Sequence, residues 1–268
     1  MESRKGRREG WCHTGAMLHA HVFGDPADPP LVGLPGVKGH GGRWRRLAEV
    51  GRRVYGLDLR GHGRSPWDPP WTLERFAADV LSTMDDLGLD RVDLAGHSFG
   101  GAVGVYVARL APGRVRRLVL VDPAVGIRAD IAGQFADAAL DVPSFVSPAE
   151  AAAVQTADWA GVTDPAVIEG EVADHLDRCA DGRYRWRWRA AAVAAVYSEL
   201  SRDPVPPPPA VPTLILRAPR EKIVRRDFLA ACSAAGSDVT LIDIDCGHMM
   251  LEERPDAVIA AVRAFLAP

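Results

Sequence analysis

The stretch Ala95-Gly96-His97-Ser98-Phe99-Gly100-Gly101 (AGHSFGG) follows a short apolar run and precedes a segment with apolar residues at helical spacing. A small hydroxyl residue between glycines at such a junction is either a turn residue or a nucleophile. Between a strand and a helix, Gly-x-Ser-x-Gly makes a sharp strained turn that holds the serine oxygen above the sheet edge. Gly96 and Gly100 are needed there because a Cβ would collide with neighbouring backbone. No Lys-Ser/Thr pair follows to suggest a phosphate-binding loop. Ser98 is therefore read as a nucleophile.

Working outward, short apolar runs alternate with longer segments of helical period, the pattern of a mostly parallel sheet covered by helices. Leu31–Leu34, Val54–Leu57, Val92–Ala95, Leu118–Val121, Thr213–Leu216 and Val239–Ile242 suit strands buried on both faces. Met17–Phe23 alternates instead and suits an antiparallel strand at the start of the sheet. Leu73–Leu87, Ser98–Leu110, Arg226–Ala235 and Pro255–Leu266 carry apolar residues three and four apart and read as helices. The alternation breaks after Val121. From there to Thr213 the chain holds helical pattern, with Ser147-Pro148-Ala149-Glu150 and Asp164-Pro165 as helix starts, and a proline-rich connector at 203–212 closes the insertion. Within it, Arg183-Tyr-Arg-Trp-Arg-Trp-Arg189 puts Tyr184, Trp186 and Trp188 on one side if extended, either as packing or as lining of a substrate pocket.

Composition narrows the function classes. The 268 residues are enough for one large α/β domain with an insertion. A net charge of −3 calls for neither nucleic acid nor an anionic membrane. The basic stretch ESRKGRRE at 2–9 reads as a disordered arm. Neither a secretory signal nor the ~18 consecutive apolar residues of a membrane span is present. Cys12, Cys179, Cys232 and Cys246 lack a CxxC or metal-ligand spacing, so reduced thiols in a cytoplasmic protein with no metal are expected.

A serine nucleophile needs a base. Of eight histidines, His248 in Cys246-Gly247-His248-Met249-Met250 follows the last strand run and precedes the last helix, at the carboxyl edge where sheet loops converge. His62 and His97 read as structural or loop residues, and His13, His19, His21 and His175 stand in no motif.

Three stretches together resemble the α/β-hydrolase family: Asp58-Leu-Arg-Gly-His-Gly-Arg-Ser65, Gly96-His-Ser-Phe-Gly-Gly101, and Gly247-His248 followed by Glu253-Arg-Pro255. The resemblance covers nearly the whole chain. It implies an α/β-hydrolase core at 10–123 and 210–268, with 124–209 as a helical lid over the active site. It also implies a serine hydrolase of a small acyl substrate, a carboxylic ester or lactone before others, working without a cofactor. Carbon–carbon or thioester hydrolysis, or ligand binding without chemistry, are the alternatives. The oligomeric state is left open. Relatives usually begin the oxyanion loop with His-Gly, whereas this chain has Pro35-Gly36. By position Val37 then supplies one backbone N–H and Phe99 the other. Where relatives commonly carry Gly-x-x-Asp, this chain reads Ala218-Pro219-Arg220-Glu221. Glu221 is accordingly the expected acid partner of His248, with Asp122, which some relatives' arrangement favours, as the alternative.

Overall fold

The computed structural model describes residues 17–267; the basic arm expected at 1–9, together with Cys12 and His13, lies outside them. In chain order the elements are β1 (Ala20–Phe23), β2 (Pro30–Leu34), a 3-10 helix (Gly41–Val50), β3 (Arg53–Leu57), α1 (Leu73–Asp86), β4 (Val92–His97), α2 (Phe99–Leu110) and β5 (Val115–Val121). The insertion follows with α3 (Ala129–Ala138), α4 (Pro148–Asp158), α5 (Pro165–His175), β6 (Leu176–Arg178), β7 (Tyr184–Trp186) and α6 (Ala190–Leu200). The core resumes with β8 (Thr213–Arg217), α7 (Arg226–Ala234), β9 (Val239–Asp243), α8 (Met250–Glu253) and α9 (Pro255–Leu266).

Seven strands form one sheet in the order β1-β3-β2-β4-β5-β8-β9. Only β1 runs antiparallel to its neighbour, and the expected mostly parallel α/β sheet is the fold observed. Side chains of a strand alternate between faces, so a run apolar at every position must be covered on both sides. On β5, Leu118 and Leu120 enter the layer shared with Phe76 of α1, Val103 of α2 and Phe228 of α7. Val119 and Val121 enter the opposite layer, with Trp44 and Leu47 of the 3-10 helix and Val258, Ile259 and Val262 of α9. Helix α1 begins where Thr72 accepts a hydrogen bond from Arg75 N at 3.2 Å, and it buries Leu73, Phe76, Ala77, Val80, Leu81 and Met84, the three-and-four spacing of an amphipathic face.

The insertion between β5 and β8 starts two of its helices as the sequence suggests. Ser147 Oγ accepts from Glu150 N at 3.2 Å and Asp164 Oδ1 from Ala166 N at 3.0 Å, each with proline in the first turn. It is not wholly helical. Residues 176–178 and 184–186 pair as an antiparallel hairpin, in which Tyr184 and Trp186 pack against apolar neighbours while Arg183, Arg185 and Arg187, which alternate with them, reach acids and backbone. Arg185 pairs with Asp181 at 2.7 Å and Arg187 with Asp177 at 2.6 Å. Among the described residues, no helix is long and apolar enough to cross a membrane.

Candidate active site

Ser98 stands between β4 and α2 with φ 53° and ψ −118°, a strained conformation of the kind retained where a side chain must be aimed. The turn is held from several directions. Ser98 N donates to Val121 O at 3.0 Å, and Ser98 O accepts from Gly101 N and Ala124 N, both at 3.0 Å. Only glycine fits at position 100, since a Cβ there would come within 2.0 Å of Leu34 O. The loop after β2 closes onto the same turn, and a Cβ on Gly36 would lie 3.2 Å from Ser98 Cβ. Val37 lines the cavity that contains Ser98, and Phe99 is the first residue of α2, one of the four whose N–H has no partner within the helix.

His248 follows β9, where the sequence reading put the base. Its Nδ1 lies 2.6 Å from Asp122 Oδ2. Asp122 directly follows β5, is fully buried, and is itself oriented by Ala218 N, which donates to its Oδ1 at 3.0 Å. Thus Asp122 is no local turn residue: both of its oxygens serve partners distant in sequence. The expectation that Glu221 partners His248 is corrected by this geometry. Glu221 N donates to Ala218 O at 3.2 Å in a tight turn directly after β8, and that turn leaves the Glu221 side chain exposed among Arg128, Lys222 and Arg225.

The neighbouring histidines are poor rivals for the base. Burial, together with the nearby His248, holds His97 well below the ordinary histidine range, and its Nε2 is engaged with His248 O at 2.9 Å. Burial pushes His62 down to about 4, and its Nδ1 contacts Arg60 O at 3.1 Å.

Ser98 and His248 open into a cavity of about 190 Å³ walled by Val37, Phe135, Tyr197, Ile223 and Met249. Phe135 of α3 and Tyr197 of α6 stack with ring centroids 5.3 Å apart. A second cavity of about 210 Å³ shares Val37, Arg43 and Met249 with the first, so the two adjoin; Trp186, Trp188, Phe145 and Trp159 line it. Tyr184 instead packs with Phe145, Ala151 and Leu176 inside the insertion. Of the three aromatics picked out in sequence, two therefore face a cavity and one is packing.

A buried ionic cluster, which sequence reasoning missed, ties the insertion to the loop carrying Val37. Glu171 of α5 takes Arg43 Nε at 3.0 Å and Arg43 Nη2 at 2.5 Å, and lies 3.0 Å from His40 Nε2. Burial alone would raise the Glu171 carboxyl, but Arg43 and His40 outweigh it and hold the group well below the usual carboxylate range. The Arg43 guanidinium also sits 4.7 Å over the Trp159 ring. No local motif marks Glu171, which meets its partners only through the tertiary fold.

A model of the alpha/beta hydrolase family matches residues 31–261. The chain belongs to the α/β-hydrolase family. This hydrolase is 39% identical over 259 residues to lipase LipV of Mycobacterium tuberculosis, covering 94% of this chain and 98% of that one. It is 28% identical over 258 residues to the sn-1-specific diacylglycerol lipase ABHD11 of Mus musculus, covering 91% and 83%. In fold it is similar to the solved E-2-(acetamidomethylene)succinate hydrolase, with a TM-score of 0.81 over 93% of this chain and 94% of that one at 21% identity. The hydrolase is thus an enzyme of the α/β fold.

Proposed function

We propose that the chain hydrolyses a small carboxylic ester, or the closely related lactone, through an acyl-serine intermediate. The observation that carries this reading is the Asp122–His248 contact at 2.6 Å beside a cavity that Ser98 also lines. With Nδ1 held by Asp122, Nε2 is the atom of His248 left to exchange protons. It takes the Ser98 Oγ proton as the oxygen bonds to the acyl carbon, and the carbonyl electron pair moves onto its oxygen. The backbone N–H groups of Val37 and Phe99 stabilise that oxyanion. Collapse restores the carbonyl and expels the alkoxide, which receives the proton from His248. Water then attacks the acyl-serine by the same route, releasing the acid and returning the proton to Ser98.

Residues 124–209 act in this reading as a lid that sets substrate choice, since Phe135, Tyr197 and Leu200 wall the serine cavity and Trp186 and Trp188 the adjoining one. The apolar lining favours an acyl chain, and similarity to two proteins named as lipases supports an ester over an amide. The free thiols of Cys179, Cys232 and Cys246 support a cytoplasmic setting. Labelling by a fluorophosphonate probe, together with turnover of p-nitrophenyl esters of increasing chain length, tests the proposal. Absence of both would assign the cavity to binding without chemistry.

A further inference from the structure

The register of β1 against β3 brings three metal-binding side chains together at the edge of the sheet. Ala20 pairs with Leu57, and Asp58 N donates to His19 O at 2.9 Å. Residues two apart on a strand share a face, as do residues opposite one another across a strand pair. His19, His21 and Asp58 therefore project together. His21 Nε2 lies 3.1 Å from Asp58 Oδ1, and the His19 and His21 rings meet edge to face with centroids 4.8 Å apart. One ligand atom from each of the three residues lies within 4.8 Å of the others.

Asp58 is rigidly placed. It is 1% exposed, its Oδ1 accepts from Gly41 N at 2.8 Å and its Oδ2 from Arg64 N at 2.9 Å. His19 and His21 are only partly buried, which leaves solvent a path to the cluster. His40 stands next to His21, at 5.8 Å between ring centroids, but its Nε2 is committed to Glu171.

We propose that His19, His21 and Asp58 form a site for a divalent transition-metal ion of the zinc class, with solvent completing the coordination. Two imidazoles and one carboxylate suit zinc, nickel or copper better than the all-oxygen environment that magnesium or calcium takes. At nitrogen–metal bonds of about 2.0–2.1 Å and a near-tetrahedral angle, two imidazoles on one ion hold their ring centroids roughly 5 Å apart. The two rings already stand at that separation. What binding requires is a small rotation of the side chains and the Nδ1–H tautomer at His21, the hydrogen between His21 Nε2 and Asp58 Oδ1 moving to Nδ1 by exchange with solvent, so that both imidazoles bind neutral. The site shares no residue with the lining of the Ser98 cavity. It is nonetheless joined to the loop before it, because the oxygen of Asp58 that faces the ion also holds Gly41 N.

The test is calorimetric titration of the untagged full chain with zinc chloride at neutral pH, after dialysis against a chelator and then chelator-free buffer. The wild type should bind zinc, and saturating zinc should raise Tm by several degrees. One equivalent of that binding should disappear in His21→Gln, which preserves a polar partner for Asp58, and weaken by at least about 10-fold in His19→Ala. Metal-free melting curves identify any variant that fails to fold, in which case the other decides. Failure of the wild type to take up zinc, or binding by both folded variants equal to the wild type, would overturn the assignment.

Discussion

Asp122 Oδ2 and His248 Nδ1 meet at 2.6 Å across 126 residues of chain, and the contact joins the end of β5 to the loop after β9. It follows that Asp122→Asn should cost up to ~10⁴ in turnover, because the amide no longer holds the imidazole in one tautomer or stabilises its protonated form. Glu221→Gln, on an exposed turn, should leave kcat within about twofold of the wild type, since surface changes away from a site have little effect. Steady-state kinetics on both variants at matched Tm decide the assignment, and the reverse pattern would return the acid to the β8 turn.

Ser98→Ala should abolish labelling by a fluorophosphonate probe and reduce ester turnover by several orders of magnitude, with Tm little changed. The alanine loses one oxygen and meets no new neighbour. Turnover near that of the wild type in purified Ser98→Ala would reject an acyl-serine route.

Trp186→Ala and Trp188→Ala separate packing from substrate choice. Both residues line the second cavity, but Trp188 is 4% exposed and packs with Ala139 and Val193. Trp188→Ala should therefore lower stability by about 3–5 kcal/mol as a buried aromatic does. Trp186→Ala should instead shift the preferred acyl length toward longer chains. Chain-length profiles of kcat/KM alongside melting curves check both.

Glu171 gives a pH-dependent signature. Its carboxyl is depressed in the fold, so its contribution is fully present above the ordinary carboxylate pKa of about 4.3 and is lost as the pH falls toward the folded value. Glu171→Gln leaves the Arg43 charge buried without its partner and should cost about 3–5 kcal/mol near neutrality. The difference in Tm between wild type and Glu171→Gln should shrink as the pH drops below about 4, and a difference independent of pH would refute the ionic explanation.

The sheet was legible because its inner strands carry apolar runs while its helices repeat every three and four residues, so the change of period marks each boundary; Val239–Ile242 reads as buried on both faces, but as the edge strand β9 it leaves Leu241 and Ile242 exposed. Ser98 and His248 were legible from their neighbours in the chain: glycines around one, a strand end before the other. The acid was harder. Glu221 and Asp122 both follow strands that end at the same sheet edge, and what separates them is direction: the β8 turn points Glu221 outward, while Asp122 is drawn inward by Ala218 N. Such a distinction resides in backbone geometry rather than residue type. The β6–β7 hairpin was hidden for a related reason, since three-residue strands carry too short an alternation to stand out from helix. Arg43, Glu171 and His40 gave no signal because each is an ordinary polar residue until the insertion folds onto the core.

Ser98 N bonds to Val121 O, and His97 is paired with Val121 in the register of β4 against β5. Ser98 and Asp122 are therefore the next residues along two hydrogen-bonded strands. A slip of one residue between those strands would move one side chain relative to the other by about 3.3 Å and turn it to the opposite face. Covalent capture of Ser98 by a mechanism-based probe thus doubles as a gauge of correct strand pairing. The fraction of a refolded or heat-stressed preparation that can be labelled would count native molecules, where bulk spectroscopy would also score misregistered sheets.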